Sequence, residues 1–116
     1  MSLHYPHPHH PAAGELTEVA SGVFWLRMPL PFQLDHINLW LLRDGAGWVI
    51  VDTGFPDDAV RETWAQILDR LDGPVNRLIV THFHPDHLGL ATWLMERTGA
   101  PLAMTSGEFL TAHVVW

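Results

Sequence analysis

The sequence has no cysteine and no lysine among its 116 residues. Without cysteine, disulfides, thiolate metal sites and thiol nucleophiles are excluded. Only 6 basic residues stand against 13 acidic ones, which gives a formal net charge of −7. Nucleic-acid backbones and anionic membranes attract basic surfaces, so neither is an expected partner. No apolar run approaches the roughly 20 residues of a membrane-spanning helix. The chain does not open on a basic segment followed by an apolar one, as a signal peptide does, so we expect a cytoplasmic protein.

Histidine is unusually frequent, with nine residues in the chain. Four of them (His4, His7, His9 and His10) lie with three prolines in residues 1–14. This segment has no apolar period, and we interpret it as a flexible leader. Its histidines either bind a metal or lie free in solvent; the second interpretation is favoured, because a mobile tract loses chain entropy when it closes around an ion. Residues 15–116, rich in apolar side chains, are predicted to form one domain.

The remaining pattern predicts the order β-β-β-α-β-α-β followed by the start of a helix. A first helix is expected to be capped by Asp57 or Asp58 and to run through residue 72, and a second to run from residue 87 to 98. Residues 28–31, with two prolines, are expected to end the first strand, and Ser106 is expected to cap the last helix. Apolar runs without alternation indicate strands covered on both faces. The predicted strands are 23–26, 37–42, 48–51, 78–80 and 102–105.

Four side chains that can bind metals lie within six residues: His82, His84, Asp86 and His87. They follow a buried strand and precede a helix, where α/β proteins place their sites. In extended chain, residues two apart point the same way, so His82 and His84 can chelate one ion. Pro85 favours a turn that directs Asp86 and His87 toward a second ion. Imidazole and carboxylate donors suit Zn²⁺, with Fe or Mn as alternatives.

Three segments together resemble one protein family. Residues 82–89 (HFHPDHLG) resemble the HxHxDHxG signature of the metallo-β-lactamase-fold superfamily. Residues 51–54 (VDTG) resemble its strand-end motif, and residues 38–42 resemble its Asn-x-Tyr-Leu-type strand with tryptophan in place of tyrosine. The resemblance covers residues 15–116. It implies an α/β (α+β) fold, the N-terminal half of an αββα sandwich.

The resemblance also implies a dinuclear site in a metal-dependent hydrolase of small molecules, acting on an ester, thioester, lactone or similar bond. By family pattern, His82 and His84 hold the first metal, and Asp86 and His87 hold the second. Asp86 is the expected catalytic residue, orienting the attacking water or accepting its proton. Asp52 is expected beside the site as a brace rather than a ligand. Two zinc ions are expected for a complete site.

The chain departs from the family in length, because only the first half of the domain is matched. The later half of the family domain supplies a third histidine, a bridging aspartate and a last histidine. His113 follows His87 too closely to be the third ligand. Each ion then has two protein ligands, whereas a catalytic zinc normally has three. We therefore expect a truncated domain that binds metal weakly and is nearly inactive alone.

Two alternatives to a hydrolase remain. One is a non-catalytic half-fold module for metal binding or assembly; the other is a nucleic-acid-processing relative, which the acidic composition disfavours. An uncovered apolar sheet face predicts a homodimer or larger oligomer. Residues 29–37 either form one wall of a substrate site, with Phe32 and His36 directed at the substrate, or are a plain connecting loop.

Overall fold

A computed structural model describes residues 3–116 and contains one mixed sheet of six strands. The strands follow one another across the sheet in chain order. Neighbours are antiparallel from β1 to β4, and β4, β5 and β6 are parallel. The strands are β1 Thr17–Ala20, β2 Val23–Pro29, β3 His36–Asp44, β4 Gly47–Val51, β5 Val75–Ile79 and β6 Leu102–Ala103. The helices are α1 Asp58–Arg70, α2 Pro85–Leu88, α3 Ala91–Thr98 and α4 Ser106–Val115.

The core lies between one face of this sheet and helices α1 and α3. It contains Leu26, Leu39, Ile50 and Leu78 from four neighbouring strands, all fully buried, together with Trp64 of α1. Burial of this apolar area is the main force that holds the helices on the sheet. The predicted α+β class is confirmed, with one helix layer and one sheet layer present.

The opposite face of the sheet is only half-buried, so the prediction that the strands are covered on both faces is wrong for these residues. Along β3, buried side chains alternate with partly exposed ones, as expected for a sheet with one covered face. Trp25 and Trp40 stack there with ring centroids 6.5 Å apart. We call this surface the open face. Its apolar residues are Val23, Trp25, Trp40, Leu42, Val49, Val51 and Ile79.

Helix α1 begins where the sequence predicts. The Asp57 carboxylate accepts a hydrogen bond of 3.0 Å from the backbone N–H of Val60, which confirms Asp57 as the cap. The helix ends at Arg70, two residues before the predicted end, because Leu71 adopts an extended conformation. Trp64 and Ile67 lie on its buried face.

The predicted single helix over residues 87–98 is wrong, because the segment forms two helices, α2 and α3. In a continuous helix the carbonyl of His87 would accept from the N–H of Ala91. Instead it accepts from the backbone N–H and the hydroxyl of Thr53, at 2.8 and 2.7 Å. The N–H of Leu90 likewise donates to the Thr53 hydroxyl, at 3.0 Å. The carbonyl of His87 and the N–H of Leu90 are therefore bonded to Thr53 and not to each other's helical turns.

The packed part of the chain starts earlier than predicted. Pro11 and Gly14 are buried, whereas the sequence predicts a leader that is flexible throughout. The Arg70 guanidinium donates to the carbonyl of Gly14, and the N–H of Glu15 donates to the carbonyl of Ala12 at 3.0 Å. Residues 3–10 are exposed.

Two strand ends and one cap also differ from prediction. Strand β2 continues through Met28 to Pro29. Strand β1 pairs only with the first residues of β2, so no strand on that side requires an N–H from Pro29. Strand β6 is two residues long rather than four. Thr105, not Ser106, caps α4, through a 3.4 Å hydrogen bond from the N–H of Glu108. Strand β1 has no counterpart among the predicted strands.

Among residues 3–116, no helix is long and apolar enough to cross a bilayer.

Candidate metal centre

The four motif residues lie at the sheet edge where β4 and β5 both end. These strands are parallel, with Val51 opposite Ile79, so the segments after them leave the sheet side by side. Asp52 follows β4, and the motif starts at His82, three residues after β5. The arrangement agrees with the expectation that α/β folds place sites at the carboxyl ends of parallel strands.

Asp52 is the buried charge at the centre of this edge, with 4% of its surface exposed. Within residues 3–116 it is the one non-glycine residue with positive φ, at 67°, a conformation that aspartate tolerates better than most side chains. Its carboxylate accepts from the backbone N–H and hydroxyl of Thr81, both at 2.8 Å, and from Nδ1 of His87, also at 2.8 Å. Asp52 thus links the segment after β4 to Thr81 and to His87 of the motif.

These contacts shift the pKa of both partners. Burial alone would raise the pKa of Asp52, but hydrogen bonds from His87 and Thr81 outweigh it and hold that pKa below the ordinary value. The hydrogen bond to Asp52 raises the pKa of His87, against the opposing effect of burial. The Asp52 carboxylate is therefore ionised at neutral pH.

His87 is oriented so that its second ring nitrogen can bind a metal. The bond to Asp52 fixes the proton of the neutral imidazole on Nδ1, which leaves a lone pair on Nε2. Nε2 lies 3.5 Å from Oδ2 of Asp86. A lone-pair nitrogen and a carboxylate oxygen this close suit a single divalent cation, so the donor pair fits a metal.

The other two motif histidines lie beside this pair. The ring centroids of His82 and His84 are 5.0 Å apart, and those of His82 and His87 are 4.1 Å apart. Nδ1 of His82 lies 2.8 Å from the Thr81 hydroxyl. His84 is exposed. Within residues 3–116, no three His, Asp or Glu side chains converge as ligands of one ion.

Helix α4 contacts the motif through its C-terminal end rather than through its histidine. Nδ1 of His113 lies 2.8 Å from the carbonyl of Phe109 within the same helix. The Trp116 indole N–H donates to the carbonyl of Phe83, between the two motif histidines, at 2.7 Å. Sequence reasoning missed this contact, and no spacing pattern points to it.

An apolar cavity of about 730 Å³ lies next to the motif. Pro85, Phe109 and Trp116 contribute to its walls, but none of the four motif donors does. This cavity therefore does not contain the predicted metal donors.

Residues 30–35, the loop between β2 and β3, lie at the same edge of the sheet as the motif, because β3 starts where β4 ends. Phe32 is 56% exposed, and its ring packs edge-on against Phe55 at 5.2 Å. Nδ1 of His36 lies 3.0 Å from Asp35. Phe32 of the loop thus pairs with Phe55, while His36 contacts its neighbour Asp35.

Two further residues of the site were missed from the sequence. Thr53 is fully buried and bonded to the backbone around His87, and Thr81 links Asp52 to His82. Thr53 lies in the VDTG motif and Thr81 directly precedes His82, so their positions beside motif residues were the available signal.

Several known proteins resemble this chain in sequence and fold. Residues 33–112 match the family model described as the metallo-beta-lactamase superfamily. A crystal structure of a β-lactamase domain protein from Burkholderia ambifaria is 55% identical with a TM-score of 0.86, over 95% of this chain and 36% of that one. A metallo-β-lactamase family protein from Thermus thermophilus is 32% identical with a TM-score of 0.69, over 79% of this chain and 31% of that one.

Among curated proteins, the probable metallo-hydrolase YybB of Bacillus subtilis (strain 168) is 31% identical over 91 residues. The match takes in 75% of this chain and 39% of the Bacillus protein. The chain thus spans well under two thirds of the length of these relatives.

Proposed function

The chain belongs to the metallo-β-lactamase superfamily, and from that premise we propose that it carries the first half of the metal centre of a hydrolase. Two divalent cations, zinc by preference with iron or manganese as alternatives, would be held in the complete site. The substrate is a small molecule with an ester, thioester, lactone or similar bond. One observation carries the proposal: the Asp52–His87 hydrogen bond leaves Nε2 of His87 facing the Asp86 carboxylate at 3.5 Å.

Each motif residue has a defined task in this proposal. His82 and His84 hold one cation, and Asp86 and His87 hold the other. Cations at these positions would supply hydroxide near neutral pH and polarise the oxygen of the bond to be cleaved. Asp86 orients the water or accepts its proton. Asp52 keeps the His87 proton on Nδ1, away from the metal side of the ring.

The surroundings favour a small-molecule substrate. A net charge of −7 repels nucleic acid, and the exposed Phe32 beside Phe55 offers an apolar contact at the site edge. We propose the cytoplasm as the location. In this proposal each cation has only two protein donors, whereas a catalytic zinc normally has three. The 116-residue chain alone should therefore be nearly inactive, because orientation and preorganised charge supply most of a hydrolase's acceleration.

Metal uptake is the direct test. Because the leader carries four histidines, all variants are made in a background with His4, His7, His9 and His10 changed to Gln, which we call the quadruple-Gln chain. There, His82→Ala with His84→Ala should abolish zinc uptake at the first pair of donors, measured by equilibrium dialysis and elemental analysis. The matched control is His113→Ala, which should leave zinc uptake unchanged. Unchanged stoichiometry in the double variant would refute the ligand assignment.

Activity is tested in a fusion with the rest of a similar protein. Residues 1–116 are joined to the unmatched remainder of the Burkholderia ambifaria protein, which supplies the other part of a similar fold. The fusion should hydrolyse at least one thioester, lactone or phosphodiester substrate with Zn²⁺ or Mn²⁺, and Asp86→Asn should remove that activity. Equal turnover by the 116-residue chain alone would refute the proposal that two protein donors for each cation are too few for activity.

The second candidate is a non-catalytic module for metal binding or assembly. The half-buried tryptophans of the open face favour it, because exposed apolar patches of this kind mark association surfaces. A fusion that binds two zinc ions yet hydrolyses nothing would favour this candidate over the hydrolase.

A further inference from the structure

We infer that Thr53 and Trp64 form a buried clamp that fixes the backbone of His87 and thereby sets the metal affinity of the Asp86–His87 pair. This inference rests on the proposed function, since it takes His87 to be a metal ligand. It assigns to helix α1 a part in positioning a ligand that lies far from it along the chain.

Each polar group of Thr53 makes at least one hydrogen bond. It is fully buried. Its backbone N–H and its hydroxyl both donate to the carbonyl of His87, at 2.8 and 2.7 Å. The hydroxyl oxygen also accepts from the N–H of Leu90, at 3.0 Å. The two backbone groups that flank the turn after His87 are therefore tied to one side chain.

Trp64 fixes Thr53 in turn. Its indole N–H donates to the carbonyl of Thr53 at 2.7 Å, inside the core, and the side chain is fully buried on α1. Close packing at the next residue adds to this restraint: a Cβ on Gly54 would lie 2.7 Å from Cγ1 of Val60, also on α1. The loop that carries Asp52 and Thr53 is thus seated on α1.

Two separate restraints then act on His87. Asp52 determines which ring nitrogen carries the proton, and the clamp determines where the backbone holds that ring. A metal ligand needs both, because coordination tolerates small errors in distance only. A purely structural role for Thr53 would stabilise the fold equally well without affecting metal affinity, and the experiment separates the two.

The first test compares threonine variants in the quadruple-Gln chain. Thr53→Val removes the hydroxyl at nearly constant volume, and Thr53→Ser keeps it. The matched control is Thr98→Val, because the Thr98 hydroxyl makes the same two kinds of bond, to the carbonyl of Leu94 at 2.7 Å and from the N–H of Ala100 at 3.2 Å. Zinc affinity is measured by chelator competition, and the Co²⁺ absorption spectrum reports the ligand field.

Thr53→Val should weaken zinc binding about 10-fold or more and alter the Co²⁺ spectrum, as loss of a residue that orients a ligand does. Thr53→Ser should restore both, and Thr98→Val should change neither. Parental affinity and spectrum in folded Thr53→Val would overturn the inference. His87→Ala separates the two levels: if it leaves zinc affinity unchanged, the proposed function fails; if it weakens binding while Thr53→Val does not, only the clamp fails.

A second variant covers the case in which Thr53→Val does not fold. Trp64→Phe removes the indole donor and keeps an aromatic ring. Its control is Trp48→Phe, because the Trp48 indole N–H lies near Asp72 but makes no close hydrogen bond within residues 3–116. Trp64→Phe should weaken zinc binding several-fold, and Trp48→Phe should not. Equal affinities in these two variants would contradict the clamp.

Discussion

Replacement of Asp52 by asparagine should separate folding from metal binding. Asparagine tolerates the positive φ of this position, and its oxygen can still accept from the N–H of Thr81. Its amide NH₂ then faces Nδ1 of His87 in place of the carboxylate oxygen. An amide donor there favours the tautomer with its proton on Nε2. That proton occupies the lone pair that faces Asp86, so the tautomer that can bind a metal is disfavoured.

The magnitudes follow from the contacts. Asp52 and His87 have side chains only 6% and 19% exposed, so solvent screens their hydrogen bond little. Loss of a charge-assisted hydrogen bond costs about 1.5–3 kcal/mol, and we expect the metal-free protein to lose about 2 kcal/mol of unfolding free energy. Zinc affinity should fall about 10- to 100-fold. Asp52→Ala should cost more stability, because it also removes the acceptor for the backbone N–H of Thr81 and places alanine at a positive φ.

The assay pairs urea denaturation in the presence of a chelator with zinc competition titrations in the quadruple-Gln chain. Asp72→Asn is the control, since it removes an exposed carboxylate that pairs with Arg43 at 2.7 Å, away from the motif. That variant should keep parental zinc affinity. Parental zinc affinity in Asp52→Asn would refute the conclusion that Asp52 sets the His87 tautomer.

Three further outcomes are expected. In the metal-free protein, the raised pKa of His87 stabilises the fold fully below pH 6.5, the ordinary pKa of histidine. This stabilisation is lost as pH rises through the raised pKa. The lowered pKa of Asp52 stabilises the fold fully above pH 3.8, and this stabilisation is lost as pH falls through the lowered pKa. The urea midpoint should therefore be highest between pH 3.8 and 6.5. The same maximum in Asp52→Asn would contradict this. Gly99→Ala should lower the free energy of unfolding by about 1–2 kcal/mol through backbone strain, and Gly54→Ala should lower it further, because a Cβ on Gly54 also meets Val60. Equal losses of stability in the two variants, measured by thermal unfolding, would argue against that packing. The open face should make the chain a dimer or larger oligomer by light scattering, and a stable monomer at tens of micromolar would count against this.

The elements with strong local signals could be predicted from the sequence. The cap at Asp57, the buried stripe of α1 and the strand-to-helix position of the motif were all predicted, and so was the family. These features depend on residues close together in the chain, where apolar period and capping chemistry act directly.

The features that were missed depend on contacts between distant residues. The break between α2 and α3 involves hydrogen bonds with Thr53, more than 30 positions earlier, as well as the C-cap Gly89. Strand β2 continues to Pro29 because β1 is short, which is a property of the neighbouring strand. The contact of Trp116 with Phe83 likewise joins residues that sequence periodicity cannot relate.

The order of the strands across the sheet has a kinetic consequence. Each strand pairs with the strand before it in the chain, so the sheet can grow by adding one neighbour at a time. The loop-closure entropy of each step is small, because most connections are short and the parallel ones are bridged by helices. A chain of this order can form its sheet and seat α1 while later residues are still being synthesised. The edge that carries the motif can therefore form as soon as β4 and β5 have paired.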